Sequence, residues 1–404
     1  MSTFFPARPF PSLRLPRHLA PLAAAVATAA ALAPGASAVA AEPQWTPLTA
    51  SVAAAPQAVR ATDGRRHLAY EIDLHTLQLL SETAPVEVQS LDVRAQGGRS
   101  LLKLDASEFV MTSGVPAEVT NTLAPGLSGT VWLDVTLPGG QKTPRALVHR
   151  LRVRAQYPSG ERTFTFDTAR TRVIRRSPVK IAPPLRGGTY MNFNGCCELG
   201  PHRTGRVSVD GGLHLPQRFA NDYLEIDEHG NGYTGDVARN ENWFGYLDPV
   251  HAVADGVVVS TRNNMPENTP PIEPLIENFT PDTDRGNSVV MRLSNGRYVL
   301  YGHLHTGSVR VKPGQRVRAG QVLGRMGNTG ASGAPHLHLD ISDSPRALEG
   351  NGLPFVYGRF RNVGSVTNLD EWMESGLDAR VSAVSHEKRR GEYPLQATVL
   401  DFPR

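Results

Sequence analysis

The chain of 404 residues reads as an all-β protein, and three observations predict it. Apolar and polar residues alternate in short runs, the pattern of strands with one buried face. Glycine and proline, 38 and 32 residues, punctuate those runs where turns are needed. Asn295-Gly296, set between two such runs, is the dipeptide that most favours a tight β-hairpin. A chain of this length is too long for one ordinary core, so two domains are expected.

Residues 1–41 come first. They hold Arg8, Arg14 and Arg17 with no acid, an alanine-rich apolar stretch from Leu19 to Leu32, and the small residues Ala36-Ser37-Ala38-Val39-Ala40. This layout predicts a secretory signal peptide and hence a periplasmic or extracellular protein. Pro34 and Gly35 break the apolar stretch, and no later segment is long and apolar enough to span a bilayer, so no stable membrane anchor is expected. Residues 42–180 follow as a β-sandwich-like accessory domain. Leu68-Ala69-Tyr70-Glu71-Ile72-Asp73-Leu74, Thr130-Val131-Trp132-Leu133-Asp134-Val135 and the run from Leu147 to Val153 alternate with period two. Residues 181–358 form the second β domain and residues 359–404 a C-terminal extension, with a short helix near Leu369-Asp370-Glu371-Trp372-Met373.

Chemistry concentrates in the second domain. On a strand through Pro335-His336-Leu337-His338-Leu339-Asp340, His336, His338 and Asp340 point one way and Leu337 and Leu339 the other. Two imidazoles on one face can place one nitrogen on a metal ion and another on a reacting group. A third, His303, closes the strand that returns from the Asn295-Gly296 turn, on the face of Val299 and Tyr301. Gly324, Gly327, Gly330 and Gly333 make a tight loop before His336, of the kind that lets backbone approach a ligand.

These segments resemble the lysostaphin/LytM-type zinc endopeptidases of bacterial cell walls. The resemblance rests on Tyr301-Gly302-His303-Leu304, the run Val311 to Val317 (with Lys312-Pro313-Gly314-Gln315), Gly327-Asn328-Thr329-Gly330 and His336-Leu337-His338, with Pro249 to Val258 upstream. It covers about residues 200 to 345. It implies that His338 is a zinc ligand and that His303 and His336 are the catalytic pair, one a general base, the other stabilising the oxyanion. In such sites three protein ligands leave a position for water, whose pKa falls to about 7 on the metal. The remaining ligands of the family are a His and an Asp four residues apart. Asp222 stands at the aspartate's place, but Arg218 occupies the histidine's. A guanidinium has no free lone pair, so Arg218 cannot bind zinc.

Two expectations follow. In the first, another imidazole completes the site: His202, brought alongside by a hairpin through Asp210-Gly211-Gly212, or His214, nearer in sequence. Arg218 would then pair with a carboxylate such as Asp222 or Glu225. The protein would be a Zn2+ enzyme cleaving peptide bonds of peptidoglycan. In the second, the domain is degenerate and metal-free, a cell-wall binding or hydrolase-activating module. The insertion from Asn263 to Asp284 interrupts the core and is either a groove wall or surface disorder.

Charge narrows the partners. The chain holds 42 basic and 38 acidic residues, and the predicted signal takes three arginines with it, leaving a near-neutral protein. That removes a compositional case for nucleic acid. Cys196 and Cys197, the two cysteines, are adjacent. They form no framework of the kind small secreted domains need, and a disulfide between them, or a buried thiol beside an exposed one, is expected.

Overall fold

The computed structural model describes residues 44–77, 85–113, 118–272, 278–382 and 385–402. The signal peptide expected over residues 1–41 and part of the insertion, residues 273–277, lie outside them.

Two antiparallel sheets occupy residues 48–172. One is centred on Arg66–Thr76 and Ser128–Leu137, the other on Val86–Ala95 and Ala146–Tyr157. Leu68, Tyr70, Ile72 and Leu74 of the first sheet share one apolar core with Val88, Leu91, Val93, Leu151 and Val153 of the second. That arrangement is a β-sandwich, as the period-two alternation requires. The opposite face of Arg66–Thr76 is buried as well: Ala69 joins the second apolar core, and His67 and Glu71 are inaccessible beside it.

The second core is built on a sheet that has 11 strands among the described residues. Its centre runs, antiparallel throughout, Asn287–Leu293, Tyr298–Leu304, Leu337–Ser342, Asn221–Glu225, Thr189–Phe193, Thr398–Asp401 and Phe360–Val366. The Asn295-Gly296 hairpin forms as a three-residue loop in which Gly296 N–H donates to Leu293 O at 3.0 Å and Gly296, at φ +76°, takes the left-handed position that follows a type I turn. Leu337, Leu339 and Ile341 are wholly buried in this core, each contributing about 1.5–3 kcal/mol of transfer free energy. Their alternation turns His336, His338 and Asp340 onto the other face. The C-terminal strands extend the sheet beside Thr189–Phe193, and the helix Leu369–Ser375 covers a third apolar cluster with Trp372. No helix among the described residues is long and apolar enough to cross a membrane.

At the end of Asn221–Glu225, Glu225 lies against Asp248, which accepts a hydrogen bond from Tyr190 Oη at 2.7 Å. Burial first, then Asp248, push the Glu225 carboxyl up to about 7. A carboxyl raised in the folded state holds its proton where the unfolded chain releases it, so stability falls as pH rises from about 4.5 to about 7. Glu225 is partly exposed and screened, so the expected loss is about 1–2 kcal/mol. Urea unfolding at pH 5 and pH 8 should show Glu225→Gln losing less stability than wild type by that amount. Equal losses would contradict it.

Candidate metal centre

Cross-strand register builds the centre. Asn221–Glu225 and Leu337–Ser342 are neighbours, and Asp222 and His338 are direct partners. His338 Nδ1 lies 2.8 Å from Asp222 Oδ1. On its far side His338 Nε2 lies 3.2 Å from Asp340 Oδ2, so the ring is held between two carboxylates. His202 comes from the short helix Pro201–Thr204, and the hairpin Val207–Val209 with Gly212–His214 returns the chain to the Asp222 strand. Its Nε2 stands 3.2 Å from Asp222 Oδ2, while its Nδ1 faces Ala220 O at 3.4 Å.

Ligand atoms of His202, Asp222 and His338 all lie within 4.8 Å of one another, and all three residues are buried. His214 is not in this group; it stands on the hairpin in register with Val207. Two imidazoles and a carboxylate, closely spaced and shielded, suit a tetrahedral divalent ion such as Zn2+. The outward nitrogens are tied to Asp340 and Ala220, as metal-ligating histidines commonly are.

His303 and His336 flank the group, their ring centres 4.7 Å apart. His336 Nδ1–H donates to Ala334 O at 2.8 Å, and its Nε2 points inward, 3.6 Å from Asp222 Oδ1. His303 Nδ1–H donates to Thr329 O at 2.7 Å. The backbone of His303 has φ +58°, rare for a residue with a Cβ, and sits by a bulge in the pairing with Asn287–Leu293. Val299 and Tyr301 stay in the core while the bulge re-aims His303 toward His336 and His338. Sequence alternation alone places Val299, Tyr301 and His303 on one face. Gly330, φ +76°, packs backbone on backbone against Gly286, where a Cβ would collide.

Electrostatics follow burial and charge. Burial, then His336 and His338, hold His303 well below the usual imidazole range. Burial likewise lowers His336, with Asp222 opposing. Burial opposes but Asp222 and Asp340 raise His338. Asp222 lies well below the carboxylate range: burial would raise it, but His202, His336 and His338 outweigh that. Asn194 Nδ2 adds a hydrogen bond to Asp222 Oδ2 at 2.9 Å. Burial thus favours the neutral form of His303 and His336, while the neighbouring imidazoles favour the ionised form of Asp222.

Arg218 is displaced from the centre. It pairs with neither Asp222 nor Glu225, the partners expected from sequence, but with Glu71 of the sandwich: Nε donates to Glu71 Oε1 at 3.1 Å and Nη2 to Oε2. Arg203, next to His202, is in ion-pair contact with the same carboxylate, and its Nη2 donates to Tyr70 O and Leu133 O, both at 3.0 Å. The reason is topological. Glu71 projects from the back of its strand, between Tyr70 and Ile72, and nothing near it in sequence marks its partners.

A groove of about 640 Å³ opens over the centre. His202, His303, His336 and His338 line its floor, and Trp372, Met373 and Glu374 of the C-terminal helix line its side. That helix carried no chemical signal in the sequence. Pro271 and Asp284 of the insertion also reach the groove. Glu267 accepts hydrogen bonds from the backbone N–H of Thr306 and Asn328, both 2.8 Å, fastening the insertion to the glycine loop. A disulfide joins Cys196 and Cys197.

The profile of peptidase family M23 matches residues 244–349, a span that holds His303, His336 and His338 but not His202 or Asp222. The peptidoglycan DD-endopeptidase ShyA of Vibrio cholerae serotype O1 is 36% identical over 93 residues, 23% of this chain and 17% of that protein. ShyC of the same organism is 33% identical over 106 residues, 25% of this chain and 20% of that protein. This chain therefore spans a fifth or less of the length of these curated relatives. The catalytic domain of lysostaphin from Staphylococcus simulans is similar at 22% identity, covering 41% of this chain and 88% of that one, with a TM-score of 0.21. This chain carries a peptidase family M23 domain over residues 244–349, as its lysostaphin/LytM-type motifs indicated.

Proposed function

We propose that this protein is an exported, Zn2+-dependent endopeptidase that hydrolyses peptide bonds of peptidoglycan. The observation that carries the reading is convergence. Asp222 and the inward nitrogens of His202 and His338 meet within 4.8 Å, beside His303 and His336, whose Nδ1 atoms are tied to backbone carbonyls. His202, Asp222 and His338 would hold the ion, which in this role acts as a Lewis acid and lowers the pKa of a water. His338 is oriented for this by Asp340, and Asp222 by Asn194. His303 and His336 supply the proton traffic: with Nδ1–H given to a backbone carbonyl, each presents Nε2 inward, so one takes a proton there as general base and the other, protonated at Nε2, donates to the negative charge on the scissile carbonyl oxygen. The alanine-rich leader of residues 1–41 supports export, and the names of the matched relatives support peptidoglycan as substrate.

Incubating purified sacculi with the protein and separating the products by mass spectrometry tests the reading. New peptide termini should appear, vanish after chelation, and return when Zn2+ is added. Sacculi left intact by a zinc-loaded protein would favour the metal-free binding module.

A further inference from the structure

Two of the three proposed ligands are gripped from outside their own domain. His202 is followed by Arg203, and Asp222 lies four residues after Arg218. Both arginines close on one carboxylate, Glu71, and all three side chains are at most 4% exposed. Arg206 extends the same grip, holding Asp73 Oδ1 and Oδ2 at 2.6 and 2.9 Å. The guanidinium of Arg203 also lies over the Trp132 ring, 5.4 Å from its centre. Glu71, Asp73 and Trp132 all belong to the first sheet of the sandwich. The segment Pro201–Thr204 is a single helical turn with no side-chain cap, so its own hydrogen bonds hold His202 weakly.

From this arrangement we infer that Glu71 is a positioning residue for the metal centre: the sandwich domain completes the site by clamping His202 and the Asp222 strand through Arg203 and Arg218. Arg218, which cannot ligate, keeps a role at the family's histidine place by anchoring the strand that carries Asp222. The ligand supplied by His202 is then usable only while Glu71 fixes the loop that bears it. This inference rests on the metal-binding reading above and adds to it a residue outside the peptidase domain.

The test is calorimetric titration of Zn2+ into the chelator-treated full chain, for wild type, Glu71→Gln, His202→Ala and the double variant. Glu71→Gln should raise the Zn2+ Kd about 10–100-fold, the usual effect of removing a group that orients a ligand. His202→Ala should raise it at least as much. In the double variant Glu71→Gln should add no more than about a twofold change, because both act through one ligand. The visible spectrum of Co2+-loaded Glu71→Gln should shift toward that of His202→Ala. Circular dichroism of the apo proteins checks folding. If Glu71→Gln does not fold, Glu71→Asp keeps the charge on a shorter arm and should show a smaller rise with the same lack of additivity. A folded Glu71 variant with wild-type Kd, or effects that multiply in the double variant, would overturn the inference and leave the metal-binding reading standing. Wild type that takes up no Zn2+ would remove both.

Discussion

Replacing His338 with alanine is expected to take bound Zn2+ from near one equivalent to background and to abolish peptide hydrolysis, a fall of about 10³-fold or more, since unassisted water has a pKa of 15.7. His338 is the residue on which the centre converges: its Nδ1 faces Asp222 and its Nε2 is held by Asp340. Removing the ring also leaves two buried carboxylates facing each other across a cavity, so some stability is lost with the metal. His338→Gln keeps a polar side chain of similar reach and separates the effects: its far-UV spectrum should match wild type while its zinc content stays at background. A His338→Ala protein that keeps stoichiometric zinc would show that the ligands lie elsewhere.

His336→Ala should behave oppositely toward the metal. Its Nδ1 is engaged by Ala334 O and its Nε2 lies 3.6 Å from Asp222 Oδ1, beside the ligand group and not within it. Zinc content should remain near one equivalent while kcat falls about 10²–10⁴-fold, the range for removal of a general acid or base. Emission spectroscopy for zinc and a steady-state assay on a peptide substrate check both halves. Loss of zinc together with activity would place His336 among the ligands instead.

The contrast between these variants shows which parts of the site were legible in sequence. The His336, His338 and Asp340 face could be read because strand alternation is local and its apolar counterpart, Leu337, Leu339 and Ile341, fixes the register. Asp222 follows from the resemblance, whereas His202 enters beside His214 as an imidazole near enough to replace the missing histidine, and the hairpin expected between His202 and Asp222 is present at Val207–Val209 and Gly212–His214. The orientation of His303 is not legible in sequence, because φ +58° reverses the alternation that the neighbouring residues obey.

Glu71 was hidden for a different reason. In Leu68-Ala69-Tyr70-Glu71-Ile72 it occupies the polar face of an ordinary amphipathic strand, where a carboxylate normally meets solvent. Its partner Arg218 is 147 residues away, and that face is buried by docking of the segments that carry Arg203, Arg206 and Arg218. The C-terminal strands were invisible on similar grounds. Thr398–Asp401 pairs with Thr189–Phe193 across two hundred residues, and no local pattern specifies such a register. The groove wall contributed by Trp372, Met373 and Glu374 depends on that placement.

Crystals of the zinc-loaded protein, measured on both sides of the zinc absorption edge, test the central claim most directly. The account predicts one strong anomalous peak bonded to His202 Nε2, an Asp222 carboxylate oxygen and His338 Nδ1. A peak at another set of residues, or none at this cluster in protein shown to carry zinc, would contradict it.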